Sequence, residues 1–282
     1  MDHRDGEEPV MDNRGAQGAG SRGTGTSGAG TGTNGTPDSG AVRAGQAPLL
    51  PAHRPVLSVL EASGSTRGVV LVLHGGKAHS REPVEARHLS PARMIPFARH
   101  LHRAGRKHGL AVWSLRNSVR GWNGPDMSPL QDARWALQQI AERHPDVPVF
   151  LLGHSMGGLT AVCAADHPQV EAVVALAPWL GPETPVERVN GRKVLIIHGT
   201  TDHMTSPSQS LAFARRASAD AASMQYVSLK GVGHFMLRKV RVWQTLATGF
   251  VIKSFAESTG AGVQPSRAFT DLLPESSVHI TL

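Results

Sequence analysis

The chain has 282 residues, of which 40% are hydrophobic and 18% are charged, so it is long and apolar enough to bury a sizeable core. Its formal net charge is +7 and its pI is near 10.3, but the basic residues are scattered and no nucleic-acid-binding motif accompanies them. Composition therefore argues against a nucleic-acid partner. No run of 18 apolar residues is present, and the single cysteine, Cys163, cannot form an internal disulfide. The charged residues 1–5 offer no apolar signal core, so we expect a cytoplasmic protein without membrane contact.

The two ends of the chain differ from its middle in amino-acid composition and in hydrophobic pattern. Residues 1–47 are dominated by Gly, Thr, Ser and Ala. Such a segment cannot bury enough apolar surface to offset its ordering entropy. We therefore predict a disordered tail over residues 1–47 and one domain over residues 48–256. Residues 257–282 show little pattern and are predicted to be a poorly ordered C-terminal tail.

Between the tails, strand patterns alternate with helix patterns. Alternating or continuous runs of branched apolar residues predict strands at residues 56–60, 68–73, 110–115, 147–152, 170–177, 194–197 and 225–229. Apolar residues at helical spacing predict helices around residues 94–101, 130–140, 159–165, 211–217 and 242–255. Strands that alternate with helices build a parallel sheet through βαβ units. The predicted fold class is therefore α/β, with a mostly parallel sheet.

The strongest chemical signal is the sequence Gly153-His154-Ser155-Met156-Gly157, which follows a predicted buried strand and precedes a helix. This strand-turn-helix context is the one that a G-x-S-x-G nucleophile elbow requires. The two glycines permit a very tight turn, which presents the serine hydroxyl at the carboxyl edge of the sheet. The helix N-terminus also favours a developing negative charge there. Ser155 is therefore predicted to be a nucleophile.

Two later residues supply a candidate acid and a candidate base. Asp202 comes just after the strand near residue 197, and His234 follows the last predicted strand, next to Gly231 and Gly233. The chain order Ser, Asp, His is the order that this kind of sheet uses for a nucleophile, an orienting carboxylate and a general base. The alternative for Asp202 is that it only caps a helix that begins near Ser206.

An early loop offers donors for a developing oxyanion. The segment His74-Gly75-Gly76-Lys77 follows a buried strand. A loop at this place typically provides one backbone N–H, and the residue after the nucleophile provides the other. We predict that the N–H groups of Gly76 and Met156 form an oxyanion hole. His74 is expected to support the loop rather than to transfer protons.

Together these motifs resemble those of the α/β-hydrolase superfamily of serine hydrolases. The likeness covers about residues 55–255 and is strongest to small esterases without a lid, to serine-aminopeptidase-like members and to thioesterase-like members. It rests on four segments: His74-Gly75-Gly76, Gly153-His154-Ser155-Met156-Gly157-Gly158, His198-Gly199-Thr200-Thr201-Asp202 and Gly231-Val232-Gly233-His234. The resemblance implies an α/β-hydrolase fold with helices on both faces of the sheet and with Ser155, Asp202 and His234 as the catalytic residues.

The segment between the strands near residues 177 and 194 is too short for a cap domain, because it holds only a few residues rich in Pro and Gly. We therefore expect an open site. Its predicted walls are Trp122, Trp179, Met204 and Phe235. No convergent charge is visible in the sequence, so the expected substrate is a small neutral ester or amide.

Three functional hypotheses follow. The first is hydrolysis of a small ester or amide through an acyl-enzyme on Ser155, which requires no cofactor and no metal. The second is a thioesterase or acyltransferase that unloads a carrier-bound acyl chain, with an acyl carrier protein as partner. The third is a non-catalytic binding module on the same fold.

Overall fold

The computed structural model describes residues 53–274 and 279–282, and its centre is a sheet of eight strands. The predicted disordered tail over residues 1–47 lies outside the described residues. The strands are β1 (Val56–Leu60), β2 (Gly68–Leu73), β3 (Leu110–Arg116), β4 (Val149–His154), β5 (Val170–Leu176), β6 (Lys193–Gly199), β7 (Ser223–Leu229) and β8 (His279–Thr281). The helices are α1 (Leu89–Gly105), α2 (Ser128–Arg143), α3 (Met156–Cys163), α4 (Pro207–Ala217), α5 (Val240–Thr259) and α6 (Arg267–Leu272).

The sheet is parallel except at one edge. Its strand order is β1-β3-β2-β4-β5-β6-β7-β8, and only β1 runs antiparallel to its neighbour. In the register of the parallel strands, Leu73 lies beside Gly153, and His154 lies beside Leu176. The loops after β2, β4, β5, β6 and β7 therefore meet at one edge of the sheet, where ligands bind in open α/β sheets. The predicted mostly parallel α/β architecture is confirmed.

Helices cover both faces of the sheet, and successive strand residues serve opposite faces. In β2, Val70 and Val72 belong to the hydrophobic layer formed with α1 and α5, whereas Val69 and Leu71 belong to the layer formed with α2, α3 and α4. All four side chains are at most 1% exposed. Burial of each such side chain contributes about 1.5–3 kcal/mol, so the two layers fix the strands that carry the site.

The C-terminal segment differs from the prediction of a poorly ordered tail over residues 257–282. Helix α5 continues to Thr259, and α6 packs its buried Phe269 against α5 at Gly249. Strand β8 pairs with β7, where Val227 lies beside Ile280. These elements show little sequence pattern, since α6 and β8 have only six and three residues and their order depends on packing against the rest of the chain.

No cap domain interrupts the described part of the sheet. The only regular element between β5 and β6 is a single 3₁₀ turn at Val186–Val189. The site therefore lies beneath short loops and the first turn of α1. Among the helices in residues 53–274 and 279–282, none is both long and apolar enough to cross a membrane.

Candidate active site

Ser155 occupies a strained turn between β4 and α3. Its backbone has φ 58° and ψ −121°, a conformation that a residue with a side chain rarely adopts. A Cβ on Gly153 would overlap the carbonyl group of Gly157, and a Cβ on Gly157 would meet the carbonyl oxygen of Leu73 at 2.5 Å. The Ser155 N–H donates to the Leu176 carbonyl oxygen at 2.9 Å, which ties the turn to β5. Strand, glycines and helix thus hold the serine at the sheet edge.

The structure brings Ser155, His234 and Asp202 together in one hydrogen-bonded line. The Ser155 Oγ lies 3.0 Å from Nε2 of His234, and Nδ1 of His234 lies 2.8 Å from Oδ2 of Asp202. All three residues are at most 7% exposed. With Nδ1 protonated toward the carboxylate, Nε2 accepts the proton of the serine hydroxyl. The arrangement can activate the serine as a nucleophile.

The Asp202 carboxylate is held by five donors. Oδ2 accepts from His234, from Nε2 of His198 at 3.1 Å and from the Thr205 hydroxyl at 2.9 Å. Oδ1 accepts the N–H groups of Met204 at 2.8 Å and of Thr205 at 3.0 Å. Burial alone would raise the pKa of Asp202, but the hydrogen bonds from the two histidines and the charge of His234 outweigh it and hold the pKa well below its ordinary value. Asp202 is therefore ionised throughout the neutral range.

The contacts of Asp202 do not agree with the alternative that this residue only caps a helix. Helix α4 begins after Ser206, whose hydroxyl accepts the N–H of Gln209 at 3.2 Å. Ser206 is therefore the residue that caps α4. The Asp202 side chain instead faces His234 and His198.

The loop after β2 is pinned to the loop after β3. His74 donates from Nδ1 to the Gly75 carbonyl oxygen at 2.6 Å, and its Nε2 accepts the N–H of Asn117 at 3.1 Å. The Lys77 N–H donates to the Arg120 carbonyl oxygen at 2.8 Å. Burial is the main cause that lowers the pKa of His74 to about 4, so this histidine is neutral at pH 7. These contacts give His74 the supporting position that the sequence predicted.

Gly76 and Met156 lie side by side at the mouth of the turn. A Cβ on Gly76 would overlap the Arg120 carbonyl oxygen and the Met156 side chain, so this position accepts only glycine. Met156 is the first residue of α3, and a first-turn N–H has no partner within its own helix. In the described part of the chain, neither N–H takes part in a backbone hydrogen bond outside the regular elements.

A cavity of about 40 Å³ opens directly at Ser155. Met204 and Phe235, two of the predicted wall residues, line it, and Phe235 is 40% exposed. The remaining lining residues are Gly75, Gly76, Ser90, Arg93, His154, Ser155, Thr205 and His234. The cavity is polar at its floor and has one aromatic wall.

Comparison with known proteins finds relatives of the middle part of the chain. Residues 105–194 match the family model described as serine aminopeptidase, S33, a stretch that contains Ser155 but ends before Asp202 and His234. Over 110 residues, which are 38% of this chain and 33% of the relative, the chain is 32% identical to monoglyceride lipase of Mus musculus. The chain thus spans only about a third of that lipase's length.

Solved structures show the fold. Esterase 2 of Thermogutta terrifontis superimposes with a TM-score of 0.58 at 14% identity, covering 77% of this chain and 99% of the esterase. A serine hydrolase without a lid from Xanthomonas campestris superimposes with a TM-score of 0.50 at 17% identity. The superposition covers 78% of this chain and 100% of that hydrolase. The chain has the α/β-hydrolase fold. That neighbour lacks a lid, and no cap domain lies between β5 and β6 of this chain.

Two predicted wall residues of the site lie elsewhere. Trp122 and Trp179 do not line the cavity at Ser155; they line a separate cavity of about 420 Å³ beside α2 and α3. Leu159 and Cys163 of α3 form the floor of that cavity. The sequence correctly placed both tryptophans in loops after sheet strands, but it does not reveal which way a loop side chain turns.

Two histidines of the site were not predicted from the sequence. His198 is fully buried, and its Nδ1 accepts from the Ser210 hydroxyl at 3.0 Å while its Nε2 holds Asp202. His154 donates from Nε2 to the His234 carbonyl oxygen at 3.0 Å, and its buried Nδ1 has no partner among the described residues. Burial is the main cause that lowers the pKa of His154 to about 3. The only feature of the sequence that points to these two histidines is that each lies inside one of the motifs.

A charged residue was also missed. Arg93, in the first turns of α1, lines the cavity at Ser155, and its guanidinium lies 4.7 Å from the centre of the Phe235 ring. The sequence did not predict a charged residue here, because the helical pattern predicted α1 without showing that its first turns lie over the nucleophile. Within residues 53–274 and 279–282, no three His, Cys, Asp or Glu side chains form a group suited to a metal ion.

Proposed function

We propose that this protein is a serine hydrolase that cleaves a carboxylic ester or amide of a small substrate through an acyl-enzyme on Ser155. The observation that carries the proposal is the line from Ser155 Oγ through His234 to Asp202, with distances of 3.0 and 2.8 Å, at a strained turn before α3. The names monoglyceride lipase and esterase both denote enzymes that cleave ester bonds. These two similarities support cleavage of an ester bond by this protein as well.

In the first half of the reaction, the Ser155 oxygen attacks the substrate's carbonyl carbon while its proton passes to Nε2 of His234. The carbonyl electron pair moves onto oxygen, where the N–H groups of Gly76 and Met156 are the proposed donors. Removal of one such donor typically costs about 10²–10³-fold in rate. The tetrahedral intermediate then collapses, the bond to the leaving oxygen or nitrogen breaks, and Nε2–H protonates that atom.

In the second half, a water molecule replaces the departed alcohol or amine. His234 removes one proton from this water, and the resulting hydroxide attacks the acyl carbon. Collapse of the second intermediate releases the carboxylic acid, while the proton on Nε2 returns to the Ser155 oxygen. The ionised Asp202 stabilises the imidazolium that forms in each half.

The proposal is tested by turnover of short 4-nitrophenyl esters and the matching anilides by the full chain. We expect wild-type turnover of at least one ester and a fall to the buffer rate in Ser155→Ala. The matched control is Ser218→Ala, a serine at the exposed end of α4 whose hydroxyl donates to the Arg215 carbonyl oxygen. Turnover by Ser155→Ala at the wild-type rate would overturn the proposal.

A further inference from the structure

A second and larger cavity adjoins the one at Ser155. Its volume is about 340 Å³, against about 40 Å³ for the cavity at the nucleophile. Gly75, Gly76 and Ser90 line both of them. Ligand pockets typically span about 300–1,000 Å³, so the small cavity has room for the reacting group and the larger one for the rest of a substrate.

The walls of the two cavities are basic. Lys77, Arg87 and Arg120 line the larger cavity, and Arg93 lines the smaller one. No acidic residue lines either cavity within the described residues. His74 and His88 also line the larger cavity.

Two of these basic side chains pair with acidic residues at the surface. Arg120 pairs with Glu82 at 2.7 Å, and Arg87 pairs with Glu85 at 2.6 Å. Both acids lie on the outer loop, and their side chains are 67% and 47% exposed. Neither acid lines a cavity, so the charged side chains that a ligand inside would contact are the basic ones.

Arg93 acts electrostatically on the floor of the site. Besides burial and the charge of His234, the charge of Arg93 contributes to the lowered pKa of His154. Its guanidinium stacks on the ring of Phe235, which lines the same small cavity. A substrate that reaches Ser155 therefore passes within the field of this arginine.

We propose that the substrate carries an anionic group and that Lys77 and Arg93 bind this group where the two cavities adjoin, while the scissile carbonyl lies at Ser155. The proposal rests on the hydrolase function proposed above and specifies the substrate class of that same site. Low-dielectric walls lined by one sign of charge concentrate ligands of the opposite sign. The neutral substrate expected from the sequence assumed that no charge converged on the site, and the structure removes that assumption.

The test uses two pairs of esters that differ only in charge. One pair is mono-4-nitrophenyl glutarate and its methyl ester, with the charge on the acyl side. The other is 4-(carboxymethyl)phenyl butyrate and its methyl ester, with the charge on the leaving side. We expect a higher kcat/KM for the anionic member of at least one pair. Because each charge-assisted contact is strong, Lys77→Gln and Arg93→Gln should each lower that ratio about tenfold.

The net charge of +7 could by itself favour anions, so the control removes a charge elsewhere. Arg215, exposed on α4, lines neither cavity, and Arg215→Gln should leave the ratio unchanged. Preference for the neutral member in both pairs would overturn the proposal. So would an equal loss of preference in Arg215→Gln, or an unchanged ratio in both site variants.

A binding measurement separates this proposal from the hydrolase function. Calorimetry on Ser155→Ala should detect monomethyl glutarate, and adding Lys77→Gln should weaken its binding about tenfold. If no ester is turned over but this binding is seen, the hydrolase function fails and the anion site stands. If esters are turned over but the anion neither binds nor is preferred, the anion site fails alone.

Discussion

At the scale of single residues, Asp202 is the most constrained group of the site. Its two oxygens accept five hydrogen bonds, three of them from side chains. His198 and Thr205 hold the carboxylate in place from behind, so its orientation toward His234 does not depend on the substrate. Such a preorganised group stabilises the imidazolium without having to move.

Changing Asp202 to Asn should leave the fold intact and lower kcat by about 10⁴-fold, the loss seen when a serine protease undergoes the analogous change. The amide fills the same volume, but it cannot stabilise the imidazolium and favours the wrong tautomer of His234. Ester turnover gives kcat, and thermal unfolding reports the fold. Asp220→Asn, in the exposed turn after α4, is the matched control and should retain full turnover. Near-normal turnover by Asp202→Asn would assign the orienting role to another acid.

The sequence was sufficient for the three residues on the hydrogen-bonded line, because each lies in a motif whose position relative to a strand has physical meaning. Ser155 was predicted from its flanking glycines. Asp202 and His234 were predicted from their positions at the carboxyl ends of later strands. The direction of Trp122, Trp179 and Arg93 could not be predicted. It depends on how a loop or a helix packs against elements distant in the chain.

At the scale of elements, the turn between β4 and α3 is the least tolerant part of the site. Gly153→Ala should destabilise the protein by about 1–3 kcal/mol, the usual cost of overpacking, since the added Cβ overlaps the Gly157 carbonyl group. Gly262→Ala is the control, because a Cβ there meets no atom within 4 Å. Urea denaturation measures both. Equal stability of the two variants would mean that the turn is looser than described.

Helix α6 gives a second test at this scale, since the sequence predicted little order beyond residue 256. Phe269 is 4% exposed and packs on Gly249 of α5. Phe269→Ala should therefore cost about 3–5 kcal/mol in the free energy of unfolding. Leu237→Ala, at a side chain that is 78% exposed, should change it little. A Phe269→Ala variant as stable as wild type would show that α6 does not dock in solution and would restore the original prediction.

Strands and helices with long periodic patterns were predictable within a few residues, as β2 shows, where the branched run and the strand coincide. Short elements were not. Strand β8 has three residues and exists through its pairing with β7, a contact between residues about 50 positions apart. Periodicity cannot reveal such an element.

At the scale of the whole molecule, resistance to acid depends on histidines that folding buries in their neutral form. The pKa of His74 is lowered to about 4 and that of His154 to about 3, mainly by burial, whereas unfolded histidine titrates near ~6.5. Below pH ~6.5 the unfolded chain therefore binds more protons than the folded chain. Stability is fully present above that pH and is lost as the pH falls toward 4.

Urea denaturation at pH 7, 6 and 5 should show a steady fall in the free energy of unfolding. His74→Asn removes one of the two groups, so this variant should lose less stability between pH 7 and 5 than wild type does. His79→Asn, on the exposed loop after β2, should keep the wild-type slope. Parallel slopes in wild type and His74→Asn would contradict the burial of a neutral imidazole at this position.

The central claim is that Ser155 is the one activated nucleophile, and intact-mass analysis after treatment with a fluorophosphonate tests it most directly. Attack by the Ser155 oxygen displaces fluoride and adds one phosphonyl group, and His234 takes up the proton. The account predicts one label per chain on wild type, located at Ser155 by peptide mapping, and no label on Ser155→Ala. An unlabelled wild type, or a Ser155→Ala variant labelled to the same extent, would contradict it.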